Sequence, residues 1–300
     1  MSNPYFNRSV FSDDPRQRSR AGAGTSTVQQ GYAQPGYGQP GQGYGQQTQP
    51  GATPMGGFEQ QYAGAAAGPV DTGRLTIDDV IVKSGIVLGT VILVGLATAF
   101  LVPIESAMAP MLIGAIGGLV LGLVNAFRRN PSPGLILAYA GLQGLFLGAF
   151  SMVMEGMFPG IVIQAVLATF AVATVTLLLY TSRAVRVTPK LTRFMLIGMV
   201  SYGLFSLVNL GLMLFGVSDD PWGLRTGVEI MGIPLGILVG AFAVLLACFS
   251  LLHDFDSIER GVKAGVPSRY AWAAAFGLAV TLIWLYLEIL RILAIIRGGD

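Results

Sequence analysis

Residues 275–296 read AFGLAVTLIWLYLEILRILAII, an apolar run carrying one acid, Glu288, with Arg291 one turn further on. At ~1.5 Å per residue a run of this length crosses a hydrocarbon core of roughly 30 Å. A charge at the centre of such a helix costs at least ~2.5 kcal/mol on insertion scales, so the acid is expected to face protein rather than lipid. Two questions follow: what surrounds this helix, and what meets the charge.

The rest of the chain answers the first. Of the 300 residues 53% are hydrophobic and 11% charged, and the mean hydropathy is +0.64, well outside the balance of a soluble domain. Apolar runs long enough to cross a bilayer are centred on 84–102, 107–127, 134–153, 159–180, 193–215, 232–253 and 271–294. The expected fold class is therefore all-α: a polytopic integral membrane protein with seven transmembrane helices. A transmembrane barrel needs alternating polar and apolar positions, whereas these runs are apolar on every face. A cleavable signal peptide is not expected, because a long polar tail precedes the first run, which itself serves as the insertion signal.

Basic residues in the short connections give an orientation. Arg128 and Arg129 lie in the second connection, Arg183, Arg186, Lys190 and Arg193 in the fourth, and Arg260, Lys263 and Arg269 in the sixth. The first and third connections hold neither Lys nor Arg, and the fifth has Arg225 among Asp219, Asp220 and Glu229. The even-numbered connections belong to the cytoplasm, which places the N-terminus inside and the C-terminus outside.

Two segments are expected: a Gly/Gln/Pro/Tyr-rich cytoplasmic tail over 1–73 and a transmembrane domain over 74–297. The tail, with GYAQPGYGQPGQGYGQQTQPG at its heart, has too few aliphatic side chains to offset the entropy of ordering and is expected to be disordered. It offers spaced tyrosines for weak docking, or simply a solvated extension. Thr76 is placed to cap the first helix ahead of Asp78 and Asp79, where negative charge suits the helix dipole. Small residues recur four apart at Gly85 and Gly89, at Gly114, Gly118 and Gly122, at Gly144 and Gly148, and at Gly236 and Gly240. Such spacing lets membrane helices approach closely. Pro103 and Pro110 bracket a tight turn containing Glu105, and no strands are expected.

The residue inventory argues against enzymatic chemistry. His253 is the single histidine and Cys248 the single cysteine; five residues apart on a helix, they point to different faces and do not form a nucleophile and base. No G-x-S-x-G turn accompanies a serine. One His and one Cys make no structural zinc site, which leaves carboxylates, the ligands of calcium rather than zinc. No enzyme, resident metal, organic cofactor or nucleic-acid partner is expected; the partners are the bilayer and cations.

What remains is acids in or beside the membrane: Asp254 and Asp256 in LLHDFDSIERG, Glu288, and Glu105 and Glu155 at the opposite end. On the last helix Gly277, Thr281, Glu288 and Arg291 share one face, expected to point into the bundle. Either Glu288 pairs with Arg291 and packs the bundle, or it is a titrating group or cation ligand on a pathway.

LHDFDSIERG at the end of one helix, LYLEILRIL on the next and AYAGLQGLFLGAFS at 138–151 together resemble the Bax inhibitor (transmembrane Bax inhibitor motif) family, in particular its bacterial branch, over roughly residues 75–297. The resemblance implies six helices around a central seventh in a bacterial cell membrane. It also implies a pH-sensitive calcium leak controlled by acids on the sixth and seventh helices, and partnership with other membrane proteins in stress or quality control. The sixth-helix acid corresponds to Asp254. The seventh-helix acid corresponds to Glu288 when LYL is matched and to Thr281 when ILR is matched. Gln143 stands where many relatives have glutamate. The function expected is a cation leak governed by Asp254, Asp256 and Glu288 with Arg291 as a partner of Glu288; the alternative is a non-transporting regulator that binds other membrane proteins. On the Lys/Arg asymmetry, a topology reporter fused after Asp300 should be active only outside the cytoplasm, and cytoplasmic activity would remove one of the seven spans.

Overall fold

The computed structural model describes residues 73–216 and 222–298. The expectation of a disordered tail lies outside these residues. Seven helices are long and apolar enough to span a bilayer: α1 (Ile77–Leu101), α2 (Met108–Phe127), α3 (Pro133–Met157), α4 (Ile161–Thr181), α5 (Pro189–Leu214), α7 (Leu235–Lys263) and α8 (Tyr270–Gly298). Between α5 and α7 lie a short helix, α6 (Leu224–Gly227), and a two-stranded antiparallel hairpin, β1 (Glu229–Ile230) and β2 (Ile233–Pro234). The hairpin corrects the expectation of no strands. Its turn residues Met231 and Gly232 both take positive φ, 56° and 78°, the conformation of a type I′ turn that matches strand twist.

The protein is an integral membrane bundle. Leu93, Phe100, Ile116, Phe127, Leu167 and Val200 point outward and are exposed, as lipid-facing side chains must be once backbone polar groups are satisfied inside each helix. At the centre stands α8, which packs on α7, α1, α4 and α3 and buries Ala273, Ala275, Ala279, Leu285 and Leu290 on several faces. By contrast α5 packs principally on α7.

The helix α7 runs well past its expected apolar segment. A hydropathy reading of 232–253 stops at the first charges, but α7 continues to Lys263 because Ile258 and Gly261 still face the core. It then closes in a Schellman turn: Gly265, with φ 64°, donates to the Val262 carbonyl at 3.0 Å, and Val266 donates to Gly261 at 3.2 Å. Asp254 thus lies nine residues before the end of α7, about 13 Å inside it, rather than at its tip.

The segment ahead of α1 is tied to that same turn. Leu75 donates to the Val266 carbonyl at 2.7 Å, and its side chain is buried among Val80, Ile258 and Ala271. Ser268 donates back to the Gly73 carbonyl at 2.9 Å. Thr76 caps α1 as expected, accepting the Asp79 amide at 3.0 Å, and Lys83 bridges Asp79 and the Ser268 carbonyl at 3.3 and 3.2 Å.

Glycine seams hold α3 between α1 and α2. A Cβ on Gly114 would meet the Leu142 carbonyl at 2.5 Å. One on Gly144 would meet the Val91 carbonyl at 2.8 Å, and one on Gly148 would run into the backbone of Gly95. Gly85 and Gly89, which the four-residue spacing also selects, have open space beside them; Gly95 is the residue of α1 that makes the close approach. Replacing Gly148 with Leu should therefore lower thermal stability in detergent strongly, by more than the ~1–3 kcal/mol of ordinary overpacking. Gly85→Ala should leave it unchanged or raise it, since Ala favours a helix over Gly by ~1 kcal/mol.

Candidate functional site

Two polar clusters interrupt the apolar interior, both on α8. The first joins it to α7. Asp254 is 4% exposed, and its Oδ2 accepts a hydrogen bond from the Thr281 hydroxyl at 2.8 Å. Ser250, one turn before Asp254, lies 3.3 Å from the same hydroxyl. Thr281 has one proton to give, so with it directed at the carboxylate, Ser250 is left to donate to the threonine oxygen. The result is a hydroxyl chain ending on a carboxylate, and among the described residues Asp254 makes no ion pair.

The second cluster lies seven residues further along α8, about 10 Å from Thr281 at ~1.5 Å per residue. Glu288, 1% exposed, is met by Arg291 from its own helix at 2.9 Å and by Trp284 Nε1 at 3.3 Å. Tyr202 of α5 donates its hydroxyl proton to the same carboxylate oxygen. The tyrosine oxygen in turn accepts from Arg291 at 3.2 Å and from Arg225 at 3.1 Å, which uses its full hydrogen-bonding capacity. Arg225 is 4% exposed; it also donates to Ser206 at 3.1 Å, lies over the Phe205 ring at 5.4 Å and pairs with the second Glu288 oxygen at 3.8 Å.

The expected face of Gly277, Thr281 and Glu288 does point into the bundle, with Arg291 partly buried at its end. Asp254 and Glu288 are not brought together: each has its own partners, and they meet α8 two turns apart. Thr281, the alternative match to the seventh-helix acid, is the residue that contacts Asp254. Asp256 lies on the far side of α7 from Asp254 and pairs with Arg260 at 3.0 Å, in a partly exposed position. Glu155 caps α4, accepting the amides of Gly160 at 2.5 Å and Val162 at 3.0 Å. Glu105 sits exposed on the short turn Ile104–Ser106. His253 is buried beside Asp254 in sequence, with Nδ1 unbonded among the described residues.

Arg225, Tyr202 and Ser206 belong to the second cluster, and the sequence reading does not place them in a site. Arg225 sits in a connection otherwise rich in acid, and that displaced charge is the one signal available. Its position is fixed by Asn209, whose side chain accepts from the Leu224 amide at 2.7 Å and donates to the Trp222 carbonyl at 3.2 Å. Glycine at 236 makes room for it, since a Cβ there would meet the Arg225 carbonyl at 2.9 Å.

Removing one partner from a buried ion cluster leaves charge uncompensated and costs ~3–5 kcal/mol. Glu288→Gln should therefore lower thermal stability by an amount of that order. Adding Arg291→Gln should restore only part of the loss, because Arg225 remains; full restoration would mean that Arg225 does not bear on the carboxylate.

Comparison with known proteins bears on the whole chain. Curated proteins give no match. The sequence matches the family described as Bax inhibitor 1 like over residues 3–298, which extends beyond the transmembrane domain and into the polar tail. With seven spanning helices and a match covering nearly its full length, this chain belongs to the Bax inhibitor 1 like family.

Proposed function

We propose that the protein is a cation leak of the membrane, with calcium as the permeant ion, and that Asp254 is the protonation-controlled element. The observation that carries this reading is the contrast between the two buried acids. Glu288 is paired with two guanidinium groups, whose positive charge repels a cation. Asp254 accepts from the single hydroxyl of Thr281, which Ser250 meets in turn, and makes no ion pair among the described residues. A carboxylate with hydroxyl neighbours is the hard-oxygen environment that calcium accepts. Among the described residues no three His, Cys, Asp or Glu groups form a metal cage, which suits transient passage better than storage.

The hydrogen bond from Thr281 gives the control its sign. With Asp254 ionised the bond is charge-assisted and joins α7 to α8. Protonation turns it into a weaker neutral pair, loosens the joint, and raises flux as pH falls. The expected roles of Asp256 and Glu288 narrow accordingly: Asp256 attracts cations at the basic end of the bundle while paired with Arg260, and Glu288 holds α5 and α6 to α8.

Purified protein in liposomes, assayed for calcium flux from about pH 5 to 8, tests this. Wild type should leak more at the acid end. Asp254→Asn should be pH-independent at the wild type's acid level, and Thr281→Val should raise flux at neutral pH. Absence of any flux above protein-free liposomes would overturn the leak and leave the non-transporting regulator; a pH profile unchanged by Asp254→Asn would remove that residue from control.

A further inference from the structure

Between α5 and α8, separate from Asp254, lies a cavity of about 540 Å³, within the usual range of small-molecule sites. Most of its wall is apolar, supplied by side chains such as Leu210, Met213 and Leu287. At one side stands the cluster of Arg225, Arg291 and Glu288, and Glu288 is the only acid among the lining residues. Among the described residues two guanidinium groups face one carboxylate, an excess of one positive charge. Arg225 and Glu288 are buried, and an excess of charge among buried groups is costly unless an anion balances it.

A second observation says where that anion would sit. Arg225 is buried, yet its Nη1 donates no hydrogen bond, while Nη2 is used by Tyr202 and Ser206. Glu288 Oε2, at 3.8 Å from Nη1, is too distant to take its protons. Asn209 pins the backbone beside Arg225, so the unused donor is held in place rather than free to turn away. A pre-positioned guanidinium with spare donors is suited to a carboxylate.

We propose that this cavity binds an organic anion consisting of a carboxylate head on an apolar tail, the head paired with Arg225 Nη1 and the tail lying against the apolar walls between α5 and α8. Binding brings the cluster to electrical balance, two guanidinium groups against two carboxylates. The inference does not rest on cation flux, and its test does not use it.

The test titrates the full-length protein, in discs of uncharged lipid, with octanoate, octanol and octylammonium, which share a tail and differ in head. Tryptophan fluorescence reports occupancy, since Trp222 and Trp284 line the cavity, and thermal stability gives a second readout. Octanoate should give a saturable response and the other two none. Arg225→Gln should weaken octanoate binding by about tenfold or more, as expected for loss of a charged hydrogen bond. Because that variant also disturbs the ion cluster, Gly203→Leu supplies a second arm. Gly203 lines the cavity, and a Cβ there meets nothing within 4 Å, so the new side chain fills the space with the cluster intact and should abolish binding in a folded protein. Equal responses to all three amphiphiles, no response to octanoate, or full binding by Gly203→Leu would overturn the proposal. Acetate binding as tightly as octanoate would overturn its apolar half. Given octanoate binding, displacement by oleate placed in the disc lipid assigns the site to lipid-borne carboxylates, and its absence to water-soluble ones.

Discussion

A carboxylate can remain inside a helix bundle only if something there meets its charge or its proton, and this chain meets that requirement in two different ways on one helix. At Glu288 the solution is ionic: Arg291 from α8 and Arg225 from α6 enclose the acid, with Tyr202 bridging all three. At Asp254 it is a relay of hydroxyl groups. The first arrangement joins three elements, α5, α6 and α8, around one carboxylate. The second leaves a carboxylate with no ion-pair partner among the described residues.

The packing around these clusters follows from the absence of a hydrophobic force between helices in lipid, which leaves close contact and polar pairing to hold the bundle. Glycines on α2 and α3 bring backbones together on one side of α8, where Gly114, Gly144 and Gly148 leave no room for a methyl group. On the other side α5 has no comparable seam with α8. There the polar cluster spans the gap, and the space left unfilled is the cavity between them. Tight packing and open volume are thus divided between two sides of the same central helix.

Much of the architecture was legible because hydropathy and helix ends are local properties. The seven spans, the Thr76 cap and the inward face of α8 follow from runs, spacing and dipole arguments, and the family followed from three short motifs in order. The ends of α7 were less legible, since a hydropathy window stops at His253 and Asp254 while the helix continues on the strength of an inward face. Four-residue glycine spacing selected Gly85 and Gly89 alongside the true contacts, because spacing records which residues share a helix face but not whether another helix lies against it. The site was half legible: the acids stand out, yet their partners are a threonine, a tyrosine and a loop arginine, and nothing in a linear reading ties Arg225 to a carboxylate 63 residues later in the chain. Whether Asp254 and Glu288 meet was not legible; they stand apart because Thr281 occupies the position facing Asp254.

The connection ahead of α1 has a mechanical consequence. Gly73 and Leu75 lie alongside Val266 and Ser268 of the α7–α8 turn, bonded in both directions, with the Leu75 side chain buried beneath. A pull on the chain before Gly73 is therefore not absorbed by a slack tether; it loads these backbone bonds in shear and passes into the turn that joins the two helices bearing Asp254 and Thr281.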